Sequence, residues 1–169
     1  FHNEDLLYRL FGINAELLID HAWGWEPCTM ADIKKYKPVS NSIGSGQVLH
    51  CPYSYEKGRL IVREMTDLLV LDLVDKGLVT DQIVMTIGYD IENLQNNVKS
   101  RYAGEVTTDH YGRRVPKHAH GTANLKNRTS SSIEMIEMIL ELYDKIVNPD
   151  LFIRRVYITA NHVVDESLA

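Results

Sequence analysis

Apolar or small residues alternate with polar residues along three segments of the chain, a pattern typical of half-buried strands. In residues 82–89 and 151–161, the apolar positions that share one face are Ile83, Met85, Ile87, Val156, Ile158 and Ala160. Residues 116–125 alternate a polar set with a set of smaller residues, and the polar set is His118, His120, Thr122 and Asn124. The segments therefore predict three strands, and residues 39–51 predict a fourth.

Two glycines, Gly44 and Gly46, lie at alternate positions in residues 39–51. Alternate residues of a strand share a face, so one face of this strand is without side chains. Glycine inside a strand indicates a bulge or a group that approaches the backbone closely. A twisted edge strand is the simpler alternative.

Two longer segments have apolar residues at helical spacing. For residues 54–76 the predicted buried face is Ile61, Val62, Met65, Leu68, Leu69 and Leu73, with Gly77 at the end. For residues 131–147 the predicted buried face is Ile133, Ile136, Ile139, Leu140, Tyr143 and Val147. Ser131 and Glu134 have the spacing of a capping box at the start of this second helix.

The order of elements is strand, helix, strand, strand, helix, strand. It predicts an α+β fold, β-α-β-β-α-β, in which a four-stranded sheet carries both helices on one face. The polar, Asn-rich residues 90–115 interrupt this order, and we interpret them as a protruding loop or extended hairpin. Loops of this length are uncommon unless they are functional, and we expect this one to be the most mobile internal segment.

The first 26 residues predict two short helices around Gly12, with Asn14 as the cap of the second. The predicted apolar stripe of that helix is Leu17, Leu18, Ala22 and Trp23. A helix–glycine–helix unit can offer backbone N–H groups to a phosphate, although such a unit is more often a packing element. Residues 31–38 are predicted to be a polar connector that carries lysines and enters the next strand extended.

The net charge of −5 is unevenly distributed along the chain. Residues 33–55 contain three lysines and no acid, and residues 111–130 contain five basic residues and no acid. The remainder is therefore strongly acidic. This split predicts a cationic binding surface backed by acidic, solvated helices.

Several protein classes are disfavoured by composition. The N-terminus has no basic region followed by an apolar one, so no signal peptide is predicted, and without an initiator Met we expect the chain to be cut from something longer. Cys28 and Cys51 are too few for a disulfide framework or a zinc site, which favours a reduced, cytoplasmic protein. The phosphate-binding glycine loop, the H-E-x-x-H motif and the nucleophile elbow are all missing from the sequence.

The stretches LFGINAELLIDHAWGWEP and NSIGSGQVL, joined by a lysine-bearing tether, resemble the thumb-to-little-finger passage of Y-family (translesion) DNA polymerases of the DNA polymerase IV or UmuC type. Ser42-Ile43-Gly44 stands where a Ser-[Ile/Val]-Gly strand opens that family's little finger, and FIRRVYIT resembles its last strand. The resemblance implies a helical thumb remnant at 1–30, a basic tether at 31–41 and a little-finger DNA-binding domain at 42–169.

This resemblance implies a role in DNA repair and lesion bypass, in which the sheet grips primer–template phosphates in the major groove without reading sequence. The family's palm would lie before residue 1, so this fragment is expected to be no enzyme and to need no cofactor, whereas the parent polymerase would use Mg²⁺. The sliding clamp is a candidate partner of the parent, although its usual binding peptide is not recognisable in NHVVDESLA. No membrane partner is expected.

Eleven residues are the DNA contacts that the resemblance implies. They are Ser42, Gly44, Ser45, Gly46, Lys117, His118, His120, Thr122, Asn124, Arg128 and Arg155. Two alternatives stay open. The open sheet face and basic loop could dock an acidic protein, or His118 and His120 could share a metal ion in a small enzyme.

Overall fold

The structure, a computed structural model, describes residues 3–36, 41–95, 102–109 and 111–168. The chain divides into two compact units, Phe1–Val39 and Ser40–Ala169. The boundary between them falls within the predicted tether.

The first unit contains three short helices, α1 (Glu4–Phe11), α2 (Asn14–Ala22) and α3 (Met30–Lys35). Asn3 caps α1, because its side chain accepts a hydrogen bond from the backbone N–H of Leu6 (3.2 Å). The prediction that Asn14 caps α2 is wrong. Asn14 is the first residue of that helix, and Ile13 at the cap position makes no side-chain hydrogen bond.

Two further features of this unit differ from the sequence interpretation. Most of the predicted polar connector is helix α3, which starts at a capping box in which Thr29 and Asp32 bond each other's backbone N–H groups. The predicted extended entry into β1, at residues 37–38, lies outside the described residues. The predicted stripe on α2 is exposed, up to 79 % for Trp23, and Ala15 is the buried residue of that helix. The described part of this unit therefore buries little apolar surface.

The second unit follows the predicted order of strands and helices. Its elements are β1 (Ile43–Tyr53), α4 (Tyr55–Asp75), β2 (Leu78–Tyr89), β3 (Val106–Thr108), β4 (Arg114–Pro116), β5 (Ala119–Thr129), α5 (Ser132–Ile146), β6 (Ile153–Asn161) and β7 (Val164–Asp165). The main sheet has the order β1-β6-β2-β5 with antiparallel neighbours, and β7 extends it beside the start of β2. Helices α4 and α5 each connect two parallel strands that have one antiparallel strand between them. The predicted α+β class is confirmed.

Helices α4 and α5 cover one face of this sheet and form the core with it. Ile83, Met85, Ile87, Val156, Ile158 and Ala160, the six predicted inward residues of β2 and β6, are all fully buried. In β5, Gly121 lies under α5, where an added Cβ would be 2.9 Å from Leu142 Cδ1. The small residues of β5 therefore let α5 pack close to the sheet, as the alternation predicts.

The helices are rotated slightly from their predicted phase. In α4, Leu68 is 65 % exposed and Val70 is buried instead. In α5, Ile133 is 77 % exposed and Met135 is fully buried. Both helices have more apolar residues than one face can hold, and contact with the sheet and with each other decides which are covered.

The insertion between β2 and β5 contains the predicted hairpin, in which β3 and β4 pair antiparallel. It begins with a 3-10 turn, Ile91–Leu94, anchored by the buried Asn93, whose side chain bonds both backbone groups of Phe152 (2.8 and 2.9 Å). Its mobility stays a prediction, and residues 96–101 and 110 lie outside the described part. None of the described helices has the length and apolar character needed to cross a membrane.

Candidate nucleic-acid interface

We call the sheet face opposite α4 and α5 the open face. Cross-strand register assigns it Gly44, Gly46 and Val48 of β1, Gln82, Val84, Thr86 and Gly88 of β2, His120, Thr122 and Asn124 of β5, and Arg155, Tyr157, Thr159 and Asn161 of β6. Directly paired residues share a face, so these side chains form rows across the sheet. None of these open-face residues is acidic.

One row of the open face is a ladder of three amides. Asn161 Nδ2 donates to Gln82 Oε1 (3.0 Å), and Gln82 Nε2 donates to Asn124 Oδ1 (2.9 Å). The ladder crosses three strands and brings together residues far apart in the sequence. Of its members only Asn124 is among the predicted contacts, because the pairing that joins the other two to it is set by the register of the sheet.

The row that contains His120 is also preorganised. His120 Nδ1 and the Thr86 hydroxyl share a hydrogen bond (2.8 Å), and the ring centroids of His118 and His120 are 6.4 Å apart in an edge-to-face arrangement. His118 precedes β5 rather than lying in it, which corrects the predicted strand start at 116. Thr122 occupies the open face as predicted, opposite Val84.

The two glycines of β1 are on the open face, but the space above them is occupied. Gly46 pairs with Tyr157, and a Cβ added at Gly46 would collide with the Tyr157 ring. A Cβ added at Gly44 would lie 2.8 Å from the hydroxyl oxygen of Thr159. The glycines therefore make room for side chains of β6, and the interpretation that they expose bare backbone to a phosphate is corrected.

Ser45 is on the other side of the sheet. It pairs with the buried Ile158, so its side chain belongs to the helix-covered face at the exposed edge of β1. Period-2 alternation cannot place Ser45 together with its two neighbouring glycines. Ser42 is exposed just before β1 begins.

Two of the three predicted basic contacts already have acidic neighbours. Lys117 Nζ is 2.8 Å from Glu105 Oε2, and Arg128 Nε is 3.6 Å from Asp81 Oδ2. Such exposed pairs contribute about 0–1 kcal/mol, so a phosphate can replace the carboxylate at small cost.

The third predicted basic contact, Arg155, is differently placed. It lies over Gly88, where an added Cβ would be 3.2 Å from Arg155 Cβ. Among the described residues no carboxylate is within ion-pair distance of its guanidinium. A register shift beside it leaves Arg154 without a partner on β2, and Arg154 Nε lies 3.6 Å from Asp90 Oδ2. Within the described part of the chain, Arg155 is therefore a cation of the open face that no carboxylate neutralises.

A cleft of about 710 Å³ adjoins this end of the open face. Its walls come from the open face, including Arg155 and Tyr157, from the 3-10 turn, and from the β3–β4 hairpin. Arg113 in the hairpin forms an ion pair with Asp109, in which Arg113 Nη2 lies 2.7 Å from Asp109 Oδ2. The hydrogen bonds from Arg113 hold the pKa of the Asp109 carboxyl below its ordinary value. The cleft cannot be predicted from local sequence patterns, because its walls join segments that are distant along the chain.

Charge is separated between the two layers of this unit. The two helices α4 and α5 contain nine acidic and four basic residues, a formal charge of −5. The open-face residues include Arg155 and His120 and no acid. The ends of β5 add Lys117, Lys126 and Arg128, while Glu105 and Asp81 lie beside Lys117 and Arg128, so this layer keeps a net positive charge. A polyanion is therefore favoured on the sheet side and disfavoured on the helix side.

The metal alternative depends on a third ligand beside His118 and His120. Within the described ranges, no three His, Cys, Asp or Glu side chains are grouped so as to hold a metal ion. Catalytic zinc uses three protein ligands and structural zinc uses four. Among the described residues His118 and His120 have no third ligand beside them, and both side chains are exposed.

Comparison with known proteins gives a fold similarity only. No protein-family model matches the chain, and no curated protein matches its sequence. A solved structure titled as the complex of the β-clamp processivity factor and the little finger domain of PolIV is similar in fold. The TM-score is 0.45 at 8 % sequence identity, over 71 % of this chain and 86 % of that one.

Proposed function

We propose that this chain is the DNA-binding part of a translesion-polymerase-like protein and that its open face grips the phosphates of a primer–template duplex without reading sequence. The observation that carries the proposal is the separation of charge between the layers. The open face has no acidic side chain, whereas the two helices behind it have a formal charge of −5. Contacts to the phosphates and sugars of DNA position a protein on the duplex and are independent of base identity.

The proposal gives each group a role suited to its chemistry. Arg155, Lys117, Lys126 and Arg128 supply charge to phosphates, and the amide ladder and the Thr86–His120 pair supply hydrogen bonds. The chain is proposed to bind without catalysing nucleotide incorporation. The sliding clamp stays a candidate partner of the parent protein and has no part in the open-face argument.

The test is binding of a labelled duplex across a salt series. If about four phosphates are neutralised, the logarithm of the binding constant should fall with the logarithm of salt at a slope of roughly −3 to −4. Replacing Lys117, Arg128 and Arg155 together by Gln should weaken binding and reduce the size of the slope by roughly 3.

The matched control replaces three basic residues of the helix layer, Lys57, Arg63 and Lys145, by Gln. This variant has the same net charge as the first, so diffuse attraction to DNA is reduced equally. We expect it to keep most of the slope. An equal loss of duplex affinity and of salt dependence in both variants would refute the assignment of the DNA to the open face.

A protein-interaction module is the second candidate. The observation in its favour is that Lys117 and Arg128 already have acidic neighbours, which an acidic protein segment could replace as readily as a phosphate. Absence of duplex binding at low salt, with a folded protein, would favour this candidate over DNA.

A further inference from the structure

The open face offers an aromatic surface beside the cleft. Tyr157 is 48 % exposed, and its ring lies over Gly46, which has no side chain to lift it from the sheet. On the opposite side of Tyr157, in the same row, is Thr86, whose hydroxyl is engaged with His120. The Cδ1–Cε1 side of the ring thus packs against β1, and Tyr157 is one of the residues that line the cleft.

A free cation is next to this ring. Arg155 lies two residues before Tyr157 on the same strand face, lines the same cleft, and has no carboxylate within ion-pair distance among the described residues. The other arginines of the cleft, Arg113 and Arg154, each have an acidic neighbour. An exposed aromatic ring can stack against a nucleotide base, and a guanidinium beside it can bind the phosphate of the same nucleotide.

We propose that the cleft receives an unpaired nucleotide of single-stranded DNA, whose base stacks on Tyr157 and whose phosphate pairs with Arg155. The inference rests on the proposed function, since it names the single-stranded extension of the bound duplex as the occupant. The volume of about 710 Å³ is within the usual range of small-ligand pockets, about 300–1,000 Å³.

The charges of the cleft favour a stacked base over a purely ionic contact. Its three arginines are matched by the carboxylates of Asp90, Glu92 and Asp109. A balanced cleft attracts a polyanion weakly, so affinity there must come from stacking and from the directional bond to Arg155. Stacking tolerates salt, whereas phosphate neutralisation does not. The contribution of the extension should therefore persist when salt weakens duplex binding.

The experiment uses the full chain and four labelled DNAs. They are a blunt duplex, the duplex with a single-stranded adenine extension, the duplex with an abasic extension that retains the phosphates, and a single strand alone. We expect the adenine extension to bind about fivefold more tightly than the abasic one, the lower end of what base–aromatic stacking contributes. A 2-aminopurine placed in the extension should lose fluorescence when the protein binds.

Variants at Tyr157 assign the effect to the ring. Tyr157→Phe keeps a ring and should retain the fivefold gain and the loss of 2-aminopurine fluorescence. Tyr157→Leu has an apolar side chain without a ring and should lose both, whereas any change in its binding of the blunt duplex should be much smaller than this fivefold loss. Circular dichroism confirms that each variant is folded.

The outcomes separate this inference from the proposed function. Equal binding of the adenine and abasic extensions, or a gain that survives in Tyr157→Leu, would overturn the stacking site and leave the duplex proposal standing. Binding of the single strand with loss in Tyr157→Leu, but no binding of the blunt duplex, would overturn the duplex proposal and support the stacking site. No binding of any of the four DNAs would overturn both.

Discussion

The position of the Tyr157 ring over Gly46 can be perturbed with a single methyl group. In Gly46→Ala the new Cβ occupies the space that the ring now fills, so the ring must move. The movement is possible because Tyr157 is half exposed and lies on the open face. We therefore expect the substitution to displace the aromatic surface without unfolding the protein.

The expected change in the free energy of unfolding is small because two effects oppose each other. Replacing glycine by alanine at a position that alanine can adopt stabilises a protein by about 0.4–1 kcal/mol through the unfolded chain. Gly46 is such a position, since its φ is outside the left-handed region. Forcing the ring away from its preferred side-chain angle costs about 0.5–1.5 kcal/mol. The net change should be within about 1 kcal/mol.

Two measurements test this expectation. Urea unfolding followed by circular dichroism gives the change in stability, and anisotropy with the adenine and abasic extensions gives the base-dependent gain in binding. We expect Gly46→Ala to lose most of the gain. The control is Gly44→Ala, which adds the same methyl group to the same face of β1 but meets Thr159 instead of Tyr157. It should keep the gain.

Two results would refute this reasoning. A loss of more than about 2 kcal/mol in Gly46→Ala would mean that the ring is locked by the sheet and is not an adaptable surface group. An unchanged base-dependent gain in a folded Gly46→Ala protein would mean that support from β1 is not what presents the ring.

Two predictions concern the helix layer. Met135→Ala should destabilise the protein by about 2–4 kcal/mol because it leaves a cavity under α5, whereas Ile133→Ala should change stability by less than about 0.5 kcal/mol. Denaturant unfolding of both variants checks the helix phase, and equal losses of stability in the two variants would contradict it. Arg59 donates two hydrogen bonds to Asp144 and lowers the pKa of that carboxyl. The contribution of this pair to the free energy of unfolding is therefore present above the ordinary carboxyl pKa of about 3.9 and is lost as the pH falls through the lower pKa of the folded state. Asp144→Asn should lower the free energy of unfolding by less than about 1 kcal/mol at neutral pH, since the pair is exposed. The difference in stability between this variant and the natural protein should shrink in acid, and a difference that grows in acid would contradict the expected pH dependence.

Strand identity could be predicted from the sequence because side chains of a strand have a period of two. Ile83, Met85 and Ile87 are inward and fully buried as the alternation indicates. The same local rule predicts the sharing of a face by Gly44 and Gly46. Element order then follows from the chain itself, and with it the α+β class.

Helix phase was less well determined, for a physical reason. An apolar stripe on a helix can be wider than the contact it makes, and periodicity alone does not say which edge of the stripe is covered. Leu68 and Val70 in α4, and Ile133 and Met135 in α5, are apolar residues for which docking against the sheet made the choice. Ser131 caps α5 as predicted, because it bonds a backbone group only three residues away, but the predicted capping box is incomplete, since the Ser131 N–H donates to Thr129 Oγ1 instead of Glu134.

The candidate site depended on tertiary structure more than the fold did. A sequence shows that Gly46 lacks a side chain, but only the pairing of β1 with β6 shows that Tyr157 fills the space above it. Likewise the acidic neighbours of Lys117 and Arg128 lie on other strands and loops. Local periodicity therefore decides which face a residue is on, whereas register between distant strands decides what that residue meets, and the chemistry of the open face depends on the second.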